Sequence, residues 1–203
     1  MRMMKGGFAF VLLAACSSGA IAQTGGTGAT VSDSAKSMGT LDADREKQAF
    51  RVFLKDIQHQ IVTTAEAMPA TKYEFTPADG EFTGVRTFAR QVRHLSATNH
   101  ILAAAALGEE ASTDIDENGP ETVRTKEEVL AYLNSSFEHL SRAIDAVGDP
   151  KVQLIASPIS PLPATKTTRL ALIAEGLIHA FNHYGQMVEY LRMNGIVPPS
   201  SRP

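Results

Sequence analysis

Four stretches of this chain repeat apolar residues at intervals of three and four, with breakers between them, and no segment alternates convincingly with a period of two. Spacing of that kind lays one stripe along an α-helix, whereas a half-buried strand needs alternation. The first stretch runs from about Leu41 to Met68, with Phe50, Phe53, Leu54, Ile57, Ile61, Ala65 and Met68 on one stripe, and Pro69 ends it. The second runs from near Thr83 to about Leu107; Val85, Phe88, Val92, Leu95 and Leu102 form its apolar face and Gly108 stops it. The third opens on a capping box, Thr125 with Glu128, carries Val129, Leu133, Phe137, Leu140, Ile144 and Val147, and closes at Gly148 and Pro150. The fourth begins around Thr165 to Thr168 and continues to Asn194, with Gly195 placed as a left-handed cap and Ile196 and Pro198 beyond it.

Burying four such stripes calls for an all-α four-helix bundle. The connection from Gly148 to Pro163 is long and holds Pro150, Pro158, Pro161 and Pro163, so it suits a crossover at the end of the bundle better than a tight hairpin. Composition agrees. Trp is absent and aromatics make up 6%, while 43% of residues are hydrophobic, which fits a helical core of Leu, Ile, Val and Ala. The formal net charge is −3 and no Lys/Arg cluster appears, so a nucleic-acid partner has no electrostatic support.

Residues 1–22 read as a signal peptide. Arg2 and Lys5 precede the apolar run Phe8 to Ala15, which is far shorter than the roughly 20 residues that span a bilayer. Two processing readings stay open. Ala20-Ile21-Ala22 is an A-x-A site, and Leu13-Ala14-Ala15-Cys16 resembles a lipobox that would leave a lipidated Cys16 as the mature N-terminus. Both imply export, to the periplasm or beyond, with membrane contact only through the signal peptide or a lipid on Cys16. Residues 23–40, rich in Gly, Ser, Thr and Ala, read as a flexible tether, and residues 41–198 as the bundle. Cys16 is the only cysteine, so the mature domain has no disulfide and no thiolate ligand or nucleophile.

Of the six histidines, His179 and His183 stand four apart on the last helix, which puts both rings on one face about 6 Å apart. Their stripe also holds Leu172, Gly176 and Tyr190, so it faces the interior, and Gly176 and Gly185 leave room for a close approach. A spacing of four is also common between histidines that merely pack. His94, beside Leu95 at the edge of the second helix's apolar face, is the candidate third ligand. Three imidazoles suit Zn, Ni, Cu or Fe and leave positions open for water or substrate.

The stretch His179-Ala-Phe-Asn-His183-Tyr-Gly-Gln186-Met-Val-Glu-Tyr190-Leu-Arg-Met-Asn-Gly195 resembles the C-terminal signature of DinB-like proteins, H-x3-H-Y/R-G-Q on the last helix. Arg90-Gln-Val-Arg-His94-Leu is similar to the family's second-helix motif, and residues 41–198 match its length and order of elements. The resemblance implies a four-helix bundle with a three-histidine metal site, often a homodimer, holding a divalent metal such as Zn or Ni. Metal-dependent thiol transferases and a thiol-dependent isomerase belong to the broader group; export argues against a thiol-transferase role here, because intracellular thiol cofactors are scarce outside the cytoplasm.

The other candidates have plainer readings. His59 falls on the wet face, His100 lies well around its helix from His94, and His139 flanks Phe137 and Leu140, free to snorkel or to reach the site. Asp114-Ile-Asp116-Glu-Asn118-Gly119 copies half an EF-hand loop, but Pro120 and Thr125 fall at its seventh and twelfth positions, so a solvated acidic loop is the better reading. Glu175, one turn before His179, is either a base or ring-orienting partner or a surface carboxylate; Tyr184 and Gln186 either orient His183 or substrate, or pack. No HExxH, G-x-S-x-G or phosphate loop appears. Two functions follow as expectations: a metal-dependent hydrolase or transferase acting on an unidentified small molecule, and an exported, non-catalytic binding or interaction module.

Overall fold

A computed structural model describes residues 29–77 (side chains from residue 41), 83–110 and 116–202. The signal peptide, both processing sites with Cys16, and the start of the expected tether lie outside them. Within them are four long helices and no strand: α1 (Ala29–Ala67), α2 (Phe88–Leu107), α3 (Lys126–Asp145) and α4 (Arg169–Met193). The chain is an all-α four-helix bundle.

Local chemistry sets most of the ends. Thr87, Thr125 and Thr168 each accept a hydrogen bond from a backbone N–H of the following turn, and Thr125 and Glu128 complete the capping box. α2 therefore starts at Phe88 rather than near Thr83. α1 begins at Ala29, so residues 29–40, expected as tether, are helical. Their sequence includes Ala29, Ala35, Lys36 and Met38, good helix formers, and only Gly39 interrupts them.

The helices stack in the ring order α1, α3, α2, α4, so α1 is diagonal to α2 and α3 to α4. Directions follow from side-chain contacts. Tyr190, late in α4, donates to the Arg86 carbonyl just before α2, and Arg169, at the start of α4, donates to the Ala106 carbonyl at the end of α2. α2 and α4 are therefore antiparallel. α2 and α3 are parallel, since Arg93 bonds to Val123 O just before α3 while Glu109, just past α2, bonds to His139. Two consequences matter for the site. The α3–α4 connection must cross a bundle end to reach a diagonal position, as its prolines suggested. The α2–α3 connection must run back along α2, roughly the 30 Å of a twenty-residue helix, and so returns residues 116–124 to the N-terminal half of α2.

The core is made of the expected stripes, with Phe88, Leu95, Leu102, Leu133, Phe137, Leu140, Ile144, Leu172, Ile173 and Met187 almost fully buried. Phe53 is the exception: 57% exposed, it lines an open apolar groove between α1 and α4 with Ile178 and Phe181. Gly176 is buried against Leu140 and Leu102, as a close helix approach requires, whereas Gly185 faces open space.

The crossover is fastened to the helix ends. Arg169 donates to the carbonyls of Ala106 and Ala146, 2.8 Å each, and to that of Val152. Gly108, the α2 cap, has φ +72°, and a Cβ there would sit 1.9 Å from the Gln153 carbonyl oxygen. Gly108→Ala is expected to lower stability by about 3 kcal/mol, from left-handed strain plus overpacking. Urea unfolding of the purified variant checks it; a loss below about 1 kcal/mol would mean that the crossover yields without cost.

Candidate metal centre

α2 and α4 are neighbours in the bundle, and their antiparallel pairing sets His94 opposite the middle of α4. There the i, i+4 pair His179 and His183 meets it. The three Nε2 atoms converge, with His179 Nε2 3.2 Å from that of His94 and 2.9 Å from that of His183. One nitrogen from each ring lies within 4.8 Å of the other two, the single group of three or more His, Cys, Asp or Glu side chains among the described residues that could hold a metal ion. Two nitrogens bound to one ion at about 2.1 Å lie about 3.0 Å apart at a right angle and about 3.4 Å at the tetrahedral angle. The observed separations fall at and inside that range.

The far side of each ring differs. His94 Nδ1 donates to the Glu117 carbonyl, brought there by the returning α2–α3 connection, so its Nε2 is a bare lone pair aimed at the centre. His183 Nδ1 is 2.5 Å from the Gln91 side-chain amide, which in turn bonds to the Gln186 amide at 2.6 Å. Turning both amides over preserves the two contacts and sets Gln91 Oε1 against an Nδ1–H, the polarity that ligation through Nε2 requires. His179 Nδ1 is buried with no hydrogen-bond partner, so nothing but the centre itself fixes this ring's tautomer. With the His94 and His183 protons on Nδ1, only a His179 Nε2–H shared between two lone pairs could bridge the three nitrogens; a shared cation meets all three directly. The residues fit a divalent ion.

The electrostatics point the same way. Burial pushes His183 down to about 3 and His179 to about 4, with the other imidazoles and the Arg86 guanidinium adding to it. Burial also lowers His94, offset in part by its bond to the Glu117 carbonyl. All three rings are neutral at pH 7, the state in which imidazole ligates.

The remaining sequence candidates sort themselves. Glu175 accepts from Ser160 Oγ at 2.7 Å, which ties it to the crossover. Tyr184 donates to Ser200 Oγ, so it does not orient His183. Gln186 acts at one remove, through Gln91. His59 is exposed. Of the calcium-like loop, Asp114 lies outside the described residues; Asp116 Oδ1 accepts from the Asn118 backbone N–H, and the loop's contribution is the Glu117 carbonyl on His94. His139 bonds to His100 and Glu109 instead of joining the three-histidine centre.

Gln91, Glu117 and Arg86 were not singled out by the sequence. Gln91 alone had a signal, three residues before His94 on the same helix face. Its replacement by Ala should weaken zinc binding about 10- to 100-fold with the fold retained; competition with a chromophoric chelator measures this, and unchanged affinity would remove Gln91 from the centre.

These features define a class, an all-α bundle with a three-imidazole centre between two antiparallel helices. A family model described as the DinB superfamily matches residues 54–187, which take in all three histidines, and the chain belongs to that family. A comparison with curated proteins gives no match.

Proposed function

We propose that this protein is a metal-dependent hydrolase or transferase whose His94, His179 and His183 hold zinc or nickel, and that it works outside the cytoplasm. The observation that carries the reading is the convergence of three neutral imidazoles on one point at metal-ligand separations. A divalent ion held by three imidazoles supplies Lewis acidity at its remaining positions. The chain's own part is to fix the rings, through the Glu117 carbonyl and Gln91, and to set a cationic guanidinium, Arg86, within Coulombic reach. A positive group beside an uncharged ligand set favours substrates that carry or develop negative charge. The N-terminal apolar run and its two processing motifs support export.

A second reading, a non-catalytic binding module, draws on Glu175: the nearest candidate base on α4 is bonded to Ser160. Turnover separates the two. Protein purified without a His-tag and loaded with zinc or nickel is assayed on ester, amide and thiol-transfer panels. Activity that disappears in His179→Ala supports the enzyme; stoichiometric metal with no turnover on any panel supports the binder.

A further inference from the structure

The groove between α1 and α4 has a volume of about 490 Å³, within the roughly 300–1,000 Å³ of small-molecule sites. Seven apolar side chains and Asp56 line it, and three of the seven are rings: Phe50 and Phe53 from α1 and Phe181 from α4. Phe53, Ile178 and Phe181 are each more than half exposed, so the groove holds apolar surface that the bundle itself does not cover.

Charge on this face is one-sided. Asp56 is the lining's one charged group, and no ion pair among the described residues includes it. Its Oδ2 accepts from the neutral Gln60 amide at 2.9 Å, which leaves the negative charge uncompensated. The neighbouring cations of α1 serve the α3 side: Arg51 pairs with Asp145 at 2.6 Å, and Lys55 lines a separate hollow with Asn134. The face of an aromatic ring is electron-rich as well. Phe50 and Phe53 stand at 87° with centroids 6.4 Å apart, a T-shaped contact that covers at most one of their four faces. Phe181 is braced by Tyr184, whose ring lies 5.8 Å away and whose hydroxyl is tied to Ser200. Rings beside a carboxylate on an otherwise apolar wall attract an organic cation, because quadrupoles and anion both favour positive charge while the rings take up its methyl groups. An anionic ligand meets only repulsion.

We propose that this groove binds an organic cation with an apolar body, a quaternary ammonium compound above all. The charged head sits at Asp56 among the rings and the body lies along Ile57, Leu177 and Ile178. The site is on the side of α4 turned to α1 rather than to α2, and it stands independently of the metal centre.

The test is a calorimetric titration of the purified protein with 4-phenylbutyltrimethylammonium, 4-phenylbutanol and 4-phenylbutyrate, one apolar body under three charges. The cation should bind at least about 10-fold more tightly than the alcohol, and the carboxylate should bind most weakly. Asp56→Asn should weaken cation binding about 5-fold. Phe53→Leu, which stays apolar but removes the ring, should do so by a similar factor, and neither change should alter binding of the alcohol or of zinc. Both positions are exposed, so the core is untouched, and circular dichroism checks that helix content holds. Equal affinity for the three compounds, or cation affinity indifferent to both substitutions, would overturn the proposal. So would an absence of binding at millimolar ligand. A dimer in sedimentation that Phe53→Leu dissolves would equally overturn it, by giving the groove to a second copy of the chain.

Discussion

Alanine in place of His179 or His183 is expected to weaken zinc binding at the α2/α4 centre by at least about 100-fold. Removing a group that merely supports a ligating histidine costs 10- to 100-fold, and these substitutions remove the ligand itself. The two losses should be of similar size, because His179 Nε2 lies within 3.2 Å of both other Nε2 atoms and His183 Nε2 is 2.9 Å from it. His94→Ala should match them while also freeing the Glu117 carbonyl. Helix content should hold, since each change trims a ring at the edge of the core, whereas Phe88, Leu95 and Met187 remain fully buried around it. Chelator competition at pH 7 measures all three. A loss confined to one variant would mean that the remaining two rings pack without ligating.

Acid should affect the metal-free and metal-loaded forms differently. The rings of His179 and His183 titrate in the folded chain at about 4 and about 3, and His94 titrates below its ordinary value. Protons therefore compete weakly with the ion. Between pH 7 and pH 5 zinc affinity should stay nearly flat, where ligands of ordinary pKa near 6.5 would each lose about 25-fold. For the metal-free protein, unfolding returns these rings to about 6.5, so the unfolded chain binds protons that the folded chain refuses. The stability they contribute is present in full above about pH 6.5 and is lost as pH falls towards 4 and below. The loss by pH 4 should be on the order of 3 kcal/mol for each of His179 and His183, less whatever solvent screening removes. His100 and His139, also lowered by burial, add in the same direction. Chemical denaturation from pH 7 to 4, with and without zinc, reads both effects; a zinc affinity falling steeply from pH 7 would show that the rings are solvated.

Much of this architecture was legible in the residues. The four stripes, the Thr125/Glu128 box and the Gly108 and Gly195 stops are local signals, and local signals survive into the fold. His179 and His183 were legible for the same reason, because their geometry depends only on one helix. What escaped depended on how the helices are arranged. The Glu117 contribution is a main-chain carbonyl, which has no side-chain signature, and it reaches His94 only because α2 and α3 are parallel and their connection must double back. His100 and His139 are separated by 39 positions, and only that same parallel alignment brings them face to face. The Gly/Ser-rich character of residues 23–40 masked the helix formers from Ala29 onward, where α1 begins. Phe53 had the right spacing for the core, but the gap between α1 and α4 leaves it at the surface.

The central claim is that His94, His179 and His183 jointly hold one divalent ion through Nε2. Crystals of the zinc-loaded protein, with diffraction recorded on both sides of the zinc absorption edge, test it directly. An anomalous difference peak about 2.1 Å from all three Nε2 atoms is the predicted result. Zinc density elsewhere with none at that point, or a peak bound to one ring alone, would contradict the account.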